Sequence, residues 1–373
     1  MADTQTRVVI ADGNTASGAK ARLCPIGPVI IKSIGPSISV VVVNWNRRDL
    51  LRLCLDSLRR QTLPPLEVIV VDNGSTDGSL ELFSTEYPQA RLIRNQENRG
   101  FCAANNQGIA IAQGDLIALL NNDAEADPHW LSALAAVFQN QPDVGMAASK
   151  ILVHSDPGRI DKVGHLIFLD GQNRGRGTGQ LDQGQFDRVE EVIWPDGCAA
   201  MYRREMLDRI GGFDEDFFAY ADDAELGLRA RIAGWGCLYA PDARVFHHRG
   251  TTLGLQSTRR LQLIERNRIL LATKLFPWRL LWLNGILYLA RLIAGAVAGA
   301  RGKGEAGKFP GLKGKLRLAW GLMLGSLSSL PLIPKMLWKR WQFRKLRQLN
   351  GSQVTSLLWK FRISLRELSE QST

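Results

Sequence analysis

Val40-Val41-Val42-Val43-Asn44-Trp45-Asn46 and, further on, Val68-Ile69-Val70-Val71-Asp72-Asn73-Gly74-Ser75-Thr76-Asp77-Gly78-Ser79 decide the fold. Each begins as an unbroken apolar run, the signature of a strand buried on both faces, and each stops abruptly in polar residues. Between them Leu50, Leu51, Leu53, Cys54, Leu55 and Leu58 recur at helical spacing, and Pro64-Pro65 ends that helix. Strand, helix and strand in that order predict a βαβ unit.

The alternation continues outward. Strands are expected near residues 90–93 and 116–120, with a helix around 102–112 between them and another from Pro128 to Asn140. Polar residues follow the carboxyl end of each strand, where open α/β sheets bind ligands. From about His154 to Glu191 glycines crowd the chain, at 171, 175, 177, 179 and 184, and this stretch reads as a long mobile loop. Regular structure is expected again from Trp194, with a helix over 222–233 and separate strands near 237–239 and 244–246. The division that follows is a leader at 1–37, an α/β catalytic domain at 38–255 and a helical tail at 256–373.

Charge divides the same way. The 373 residues carry a net charge of +11, yet residues 251–373 hold 22 Lys and Arg against four Glu, so the earlier part is mildly acidic. That distribution excludes a basic nucleic-acid footprint on the first domain. The five scattered cysteines include no C-x-x-C pair and suit a reducing compartment.

Four polar clusters follow strands. Asp72 to Gly78 builds an Asx-rich turn, and Asp72 is also placed to accept hydrogen bonds from a nucleotide base or ribose. Asn121-Asn122-Asp123 is either a surface loop or, through Asp123, an oxygen ligand for the divalent cation that a leaving diphosphate calls for. Asp222-Asp223 opens a helix close to Phe217, Phe218 and Tyr220. A first-turn acid complements the helix dipole, and Glu225 with Arg229 is an i,i+4 pair, but the aromatic neighbours also suit a general base. His247-His248 ends a strand, and an imidazole beside Asp123 suits Mn²⁺.

Taken in order, these segments resemble family 2 inverting glycosyltransferases over residues 38–250. Val40 to Asn46, Cys54-Leu55-Asp56-Ser57-Leu58, Val70 to Ser79, Asn98-Arg99-Gly100-Phe101, Asn121 to Asp123, Trp194 to Arg204, Gly212 to Leu228 and Val245-Phe246-His247 carry the likeness. The resemblance implies a GT-A fold: a nucleotide-binding α/β sandwich with a mixed, mostly parallel sheet and helices on both faces. It also implies a nucleotide-sugar donor and a divalent cation, Mn or Mg. Asn44, Asp72, Asn98, Asn121 and Asp123 would lie at the donor, Asp123 and His247 would hold the metal, and Asp223 would be the catalytic base. Asn121 stands where the family's metal motif has its first carboxylate, which removes a charge but keeps an oxygen. Bacterial rhamnosyltransferase-like members that use dTDP-L-rhamnose look nearest.

In the tail, Trp278 to Ala300 is long enough to span a bilayer, but Arg291 inside it would cost about 2.5 to 3.5 kcal/mol. Leu318 to Pro334 is uncharged, and Lys335 to Leu349 mixes tryptophans with six Lys and Arg, as an interfacial helix would. The expectation is a membrane-associating appendage at the cytoplasmic face, serving a lipid-linked glycan acceptor in cell-surface polysaccharide synthesis. Two rivals are a sugar-phosphate nucleotidylyltransferase, which the glycine-free segment after the first strand disfavours, and a non-catalytic nucleotide-sugar-binding adaptor, which Asp123 and Asp223 together disfavour. No nucleic-acid partner is expected.

Overall fold

The computed structural model describes residues 35–249 and 257–370; residues 1–34 of the expected leader lie outside the described residues. The first half alternates as expected: β1 (Ile38–Asn44), α1 (Arg48–Arg59), β2 (Glu67–Asp72), α2 (Ser79–Glu86), β3 (Arg91–Arg94), α3 (Gly100–Ile111) and β4 (Leu116–Leu120). These strands pair in parallel in the order β3-β2-β1-β4. Because side chains alternate across a strand, β1 serves two cores. Val40 and Val42 pack with Leu51, Leu55 and Leu58 of α1 on one face, while Val41 packs with Cys102 and Ala104 of α3 on the other.

Beyond β4 the sheet becomes mixed. After β5 (Ala124–Ala126) and α4 (Trp130–Ala136) come β6 (Val144–Val153), β7 (Asp156–Lys162), β8 (His165–Ile167), β9 (Asn173–Gly175), β10 (Glu190–Glu191), β11 (Ala199–Arg203), α5 (Arg204–Ile210), α6 (Asp222–Ile232) and β12 (Gly236–His247). The full order is β10-β12-β6-β11-β4-β1-β2-β3, with β5 on β12 and β7 on β6, and β11 runs antiparallel between β4 and β6. The two late strands expected separately are one, β12, whose pairing to β6 is interrupted between Ala240 and Arg244.

The stretch read as a mobile loop, 154–191, instead carries β7, the β8–β9 hairpin and the turns between them. Its glycines mark turns: Gly171, Gly177, Gly179 and Gly184 all have φ between 74° and 102°, a region open chiefly to glycine. β8 and β9, of three residues each, are too short to give a period, and β7 carries a single aliphatic residue, so sequence shows only the turns.

The tail does not pack separately from the catalytic region. Leu270, Leu271 and Leu275 of α7 (Thr258–Leu275), Met336 and Phe343 of a later helix, and Val354 and Leu358 are buried in the same core as Val41 and Trp194. The expected boundary at 255 is therefore a change of composition, not a gap in packing. Next come α8 (Trp278–Ala300), α9 (Gly304–Gly307), α10 (Gly311–Ser329), α11 (Ile333–Phe343), α12 (Gly351–Lys360) and α13 (Leu365–Glu370).

Arg291 faces inward. Its Nε donates to Asp170 at 2.6 Å and its Nη2 to Glu265 at 2.8 Å, and Arg268 bonds the same Glu265. One face of α8 is thereby fastened to the protein, while Trp282, Ile286, Leu289, Ile293 and Val297, spaced along the helix, are exposed. In α10 the exposed residues Leu312, Leu316, Trp320, Met323 and Leu327 repeat the pattern. The cations of α11 are mostly spoken for: Lys335 pairs with Asp216, Lys339 with Asp214 and Asp216, and Arg340 donates to the carbonyls of Thr273 and Phe276. Those three charges are thereby held by protein groups, while Trp338 and Trp341 of the same helix are exposed.

Candidate active site

Asn44 and Asp72 end adjacent parallel strands and stand side by side in register, both buried. Asn44 Nδ2 donates to Asp72 Oδ1 at 3.1 Å, and its own Oδ1 accepts from Asn122 Nδ2 at 2.7 Å. Asp72 Oδ2 accepts from the Ser75 amide at 2.9 Å, so the Asx-turn reading of this segment is correct and fixes the carboxylate. Asn98 turns inward: its Oδ1 accepts from Asn73 Nδ2 and from the Gly100 amide, shaping the turn before α3. Asn121 meets Cys198 through its backbone amide, at 2.8 Å from the Cys198 carbonyl.

Asp123 and His247 come together. His247 Nε2 lies 3.4 Å from Asp123 Oδ1, and its Nδ1 is 2.7 Å from Asp161 Oδ2. Asp161 is almost fully buried and also pairs with Arg249 Nε at 3.1 Å. Burial opposes charge on His247, but Cys198, Asp123 and Asp161 outweigh it and hold the imidazole protonated well above its ordinary range. Next to this group Glu125, His154 and His248 form a second, more exposed cluster, with the two imidazoles stacked at 3.8 Å.

Around the acidic pair lies a set of residues that the sequence did not single out. His165 Nε2 is 2.9 Å from Asp196 Oδ2 and 3.2 Å from Asp223 Oδ2, and Lys162 Nζ is 2.6 Å from the same Asp196 oxygen. His165 is fully enclosed and stacks on Trp194. Despite that burial, Asp223 and Asp196 raise its pKa to about 9, and Lys162 and His165 push Asp196 well below the usual carboxylate range even though burial acts the other way. Asp222 behaves oppositely. Burial first, then the charge of Asp223, raises it to about 8.

The turn Asp196-Gly197-Cys198 joins the two groups. Asp196 receives His165 and Lys162, the Cys198 carbonyl receives Asn121, and a side chain at Gly197 would sit against Phe101 and 3.7 Å from Asp222 Oδ2. Donor-side and acid-side residues therefore share one short backbone segment.

The loop before α6 is strained. Phe218, Tyr220 and Ala221 have φ of 63°, 69° and 54°, a region L residues rarely adopt, and Ala219 N donates to Phe217 O across a tight turn. Asn267 of α7, fully buried, holds this shape with one amide that donates to the carbonyls of Phe217, Ala219 and Tyr220 at 2.7–2.8 Å. Arg266 adds bonds to the carbonyls of Asp216 and Phe217, and the Phe101 amide bonds the Phe218 carbonyl. The first residues of the tail thus set the direction of the acidic pair.

Comparison with known proteins gives one family match: residues 39–211 fit the family described as Glycosyl transferase family 2. The chain is 32% identical over 224 residues to the O-antigen biosynthesis protein RfbC of Myxococcus xanthus, covering 57% of this chain and 17% of that protein. It is 29% identical over 239 residues to an N-acetylglucosaminyl-diphospho-decaprenol L-rhamnosyltransferase of Mycobacterium tuberculosis, covering 58% of this chain and 78% of that one. Among solved structures, a mannosyltransferase from Pyrobaculum calidifontis in complex with GDP-Man and Mn²⁺ aligns with a TM-score of 0.46 and 18% identity, over 87% of this chain and 88% of that chain. Against two of the curated relatives it matches, the chain spans only 26% and 17% of their length.

Proposed function

Residues 39–211 are a glycosyl transferase family 2 domain, and from that premise we propose that the chain transfers a sugar from a nucleotide-diphosphate donor to a hydroxyl of a lipid-linked saccharide, with inversion at the anomeric carbon. The observation that carries the reading is the meeting of the Asn44–Asp72–Asn122 and Asp123–His247 groups with the Asp223–His165 pair across the turn at Gly197.

In this reading Asn44 and Asp72 receive the nucleoside. Asp123 and His247 would hold a divalent cation, which takes the place of the proton on His247 Nε2: a carboxylate oxygen and an imidazole nitrogen 3.4 Å apart fit two ligands of one ion, and Asp161 on the far ring nitrogen orients the histidine as an outer partner should. When bound, Mn²⁺ or Mg²⁺ neutralises charge on the leaving diphosphate. Asp223 accepts the acceptor's hydroxyl proton while the freed oxygen bonds to the anomeric carbon and the bond to the diphosphate oxygen breaks on the opposite face. His165, charged, aims Asp223; it is a positioning residue.

The first donor to test is a nucleotide-linked L-rhamnose such as dTDP-L-rhamnose, the sugar being the one in the name of one relative. Two helices, Trp278–Ala300 and Gly311–Phe343, are long and apolar enough to cross a membrane by length and composition. With Arg291 bound to Asp170 and Glu265, we read them as lying on the cytoplasmic leaflet with their exposed apolar faces down. The test is nucleotide-diphosphate release by the purified chain across common nucleotide sugars, with and without Mn²⁺ or Mg²⁺. Release from none of them, with a lipid-linked acceptor present, would overturn the reading.

A further inference from the structure

The segments that carry Asp123 and His247 deliver a second set of oxygen and nitrogen ligands beside them. Glu125 lies on β5, His154 in the turn from β6 to β7, and His248 directly after β12, the strand that pairs with both β5 and β6. Backbone bonds fix how the three segments meet. The His154 amide donates to the His247 carbonyl at 3.0 Å, the His248 amide to the Asp123 carbonyl at 2.9 Å, and Glu125 stands opposite Phe246 in the β5–β12 pairing.

The three side chains converge on a single atom. His154 Nε2 is 3.1 Å and His248 Nε2 2.9 Å from the same oxygen, Glu125 Oε1, and the two rings stack with their planes 20° apart. No other hydrogen bond or ion pair among the described residues engages any of the three. Two ligands each about 2.1 Å from one ion stand roughly 3 Å apart when they meet it at a right angle, the spacing seen in this cluster. Glu125 and His248 are mostly covered, whereas His154, on its turn, is exposed, so the cluster opens to solvent past one adjustable ring. Two imidazoles with one glutamate are a set that zinc accepts, with water as a fourth ligand, while magnesium and calcium favour oxygen throughout.

We propose that Glu125, His154 and His248 form a second metal site, for a zinc-class divalent ion, distinct from the pair assigned to the donor's cation. The site stands independently of the function proposed above, since none of its ligands belongs to the donor or base groups. A bound ion joins the ends of β5, β6 and β12 in one clamp. Through the two backbone bonds it steadies Asp123 and His247 without touching their side chains.

Full-length protein stripped with chelator would be titrated calorimetrically with Zn²⁺ alone, beside His154→Ala, Glu125→Ala and Asp123→Ala. Losing an outer partner of a metal ligand costs about 10- to 100-fold in affinity, so losing a ligand itself should weaken one Zn²⁺ equivalent by about 100-fold or more, in His154→Ala and again in Glu125→Ala. Asp123→Ala should retain that equivalent. Co²⁺ in place of Zn²⁺ should show the visible absorption of a four-coordinate ion in the unsubstituted protein and lose it in His154→Ala, a variant at an exposed turn that is expected to fold. An unchanged Zn²⁺ titration in His154→Ala would overturn the site. So would a loss in His154→Ala that Glu125→Ala does not repeat, which would leave only a surface histidine. Loss of the same equivalent in Asp123→Ala would merge the two sites into one and overturn it equally.

Discussion

Two histidines each sit between two aspartates, and they do so differently. His247 uses both ring nitrogens, Nδ1 to buried Asp161 and Nε2 toward Asp123. His165 presents one nitrogen, Nε2, to Asp196 and Asp223 together. A ring anchored through one nitrogen leaves the other to face a cation, whereas one N–H shared by two carboxylates is a proton kept in place. In the function proposed above the same residue types would thus build a metal-side group and a base-side group, and the choice of nitrogen would distinguish them.

The largest effect should fall on the base side. Asp223→Asn is expected to reduce turnover about 10²- to 10⁴-fold while calorimetric donor affinity barely moves, because the amide keeps shape but takes no proton. A variant retaining more than about a tenth of the rate, against that expectation, would give the role of base to Asp222. On the metal side, Asp123→Ala should cost about 10²- to 10³-fold in rate and abolish the response to Mn²⁺ or Mg²⁺. Full activity in excess chelator would break the comparison outright.

The outer aspartates sharpen it further. Asp161→Asn should weaken apparent ion affinity about 10- to 100-fold, and Asp196→Asn should leave ion affinity in place while lowering kcat. If both shift the metal titration equally, the two histidines do the same work. Asn267→Ala unties three buried carbonyls; it should lower stability by about 1 to 3 kcal/mol in urea unfolding and reduce kcat more than donor affinity.

The smallest effect is in pH dependence. His165 is raised to about 9 in the folded protein from an ordinary 6.5, so its stabilisation is complete below pH 6.5 and is lost as pH rises through 9. Asp222, raised to about 8 from 3.8, acts with the same sign, losing stabilisation between those values. The Tm should therefore fall between pH 6.5 and 9, and the fall should be shallower in His165→Gln. Parallel slopes would refute the charged assignment of His165.

Sequence reveals the donor side well because its residues lie at the ends of strongly apolar strands: Asn44 and Asp72 are each the first polar residue after a buried run, and Asp123 follows one after Asn121 and Asn122. The base side is only half legible. Asp222-Asp223 stand out in an aromatic setting, but Lys162 closes a strand with a single aliphatic residue, His165 opens a strand of three residues and Asp196 lies in a turn, so no apolar period marks them. Glycine crowding, the one signal there, reports turns and was equally compatible with a mobile loop. Asn267 is hidden for another reason, since an asparagine in a helix reads as surface until the carbonyls it meets are in view. Arg291 shows the converse. The sequence makes it an obstacle in an apolar helix, and the fold makes it the fastening.

Asp161 of β7 lies between two residues paired with β6 and has no partner there. Leu152 pairs with Ile160 and Ile151 with Lys162, so Asp161 is the extra member of a bulge. Asp161 then serves His247 while its neighbour Lys162 serves Asp196. The two groups therefore hang on one strand: a single-residue deletion that straightened β7 would displace the partner of His247 and the counter-ion of Asp196 in one step.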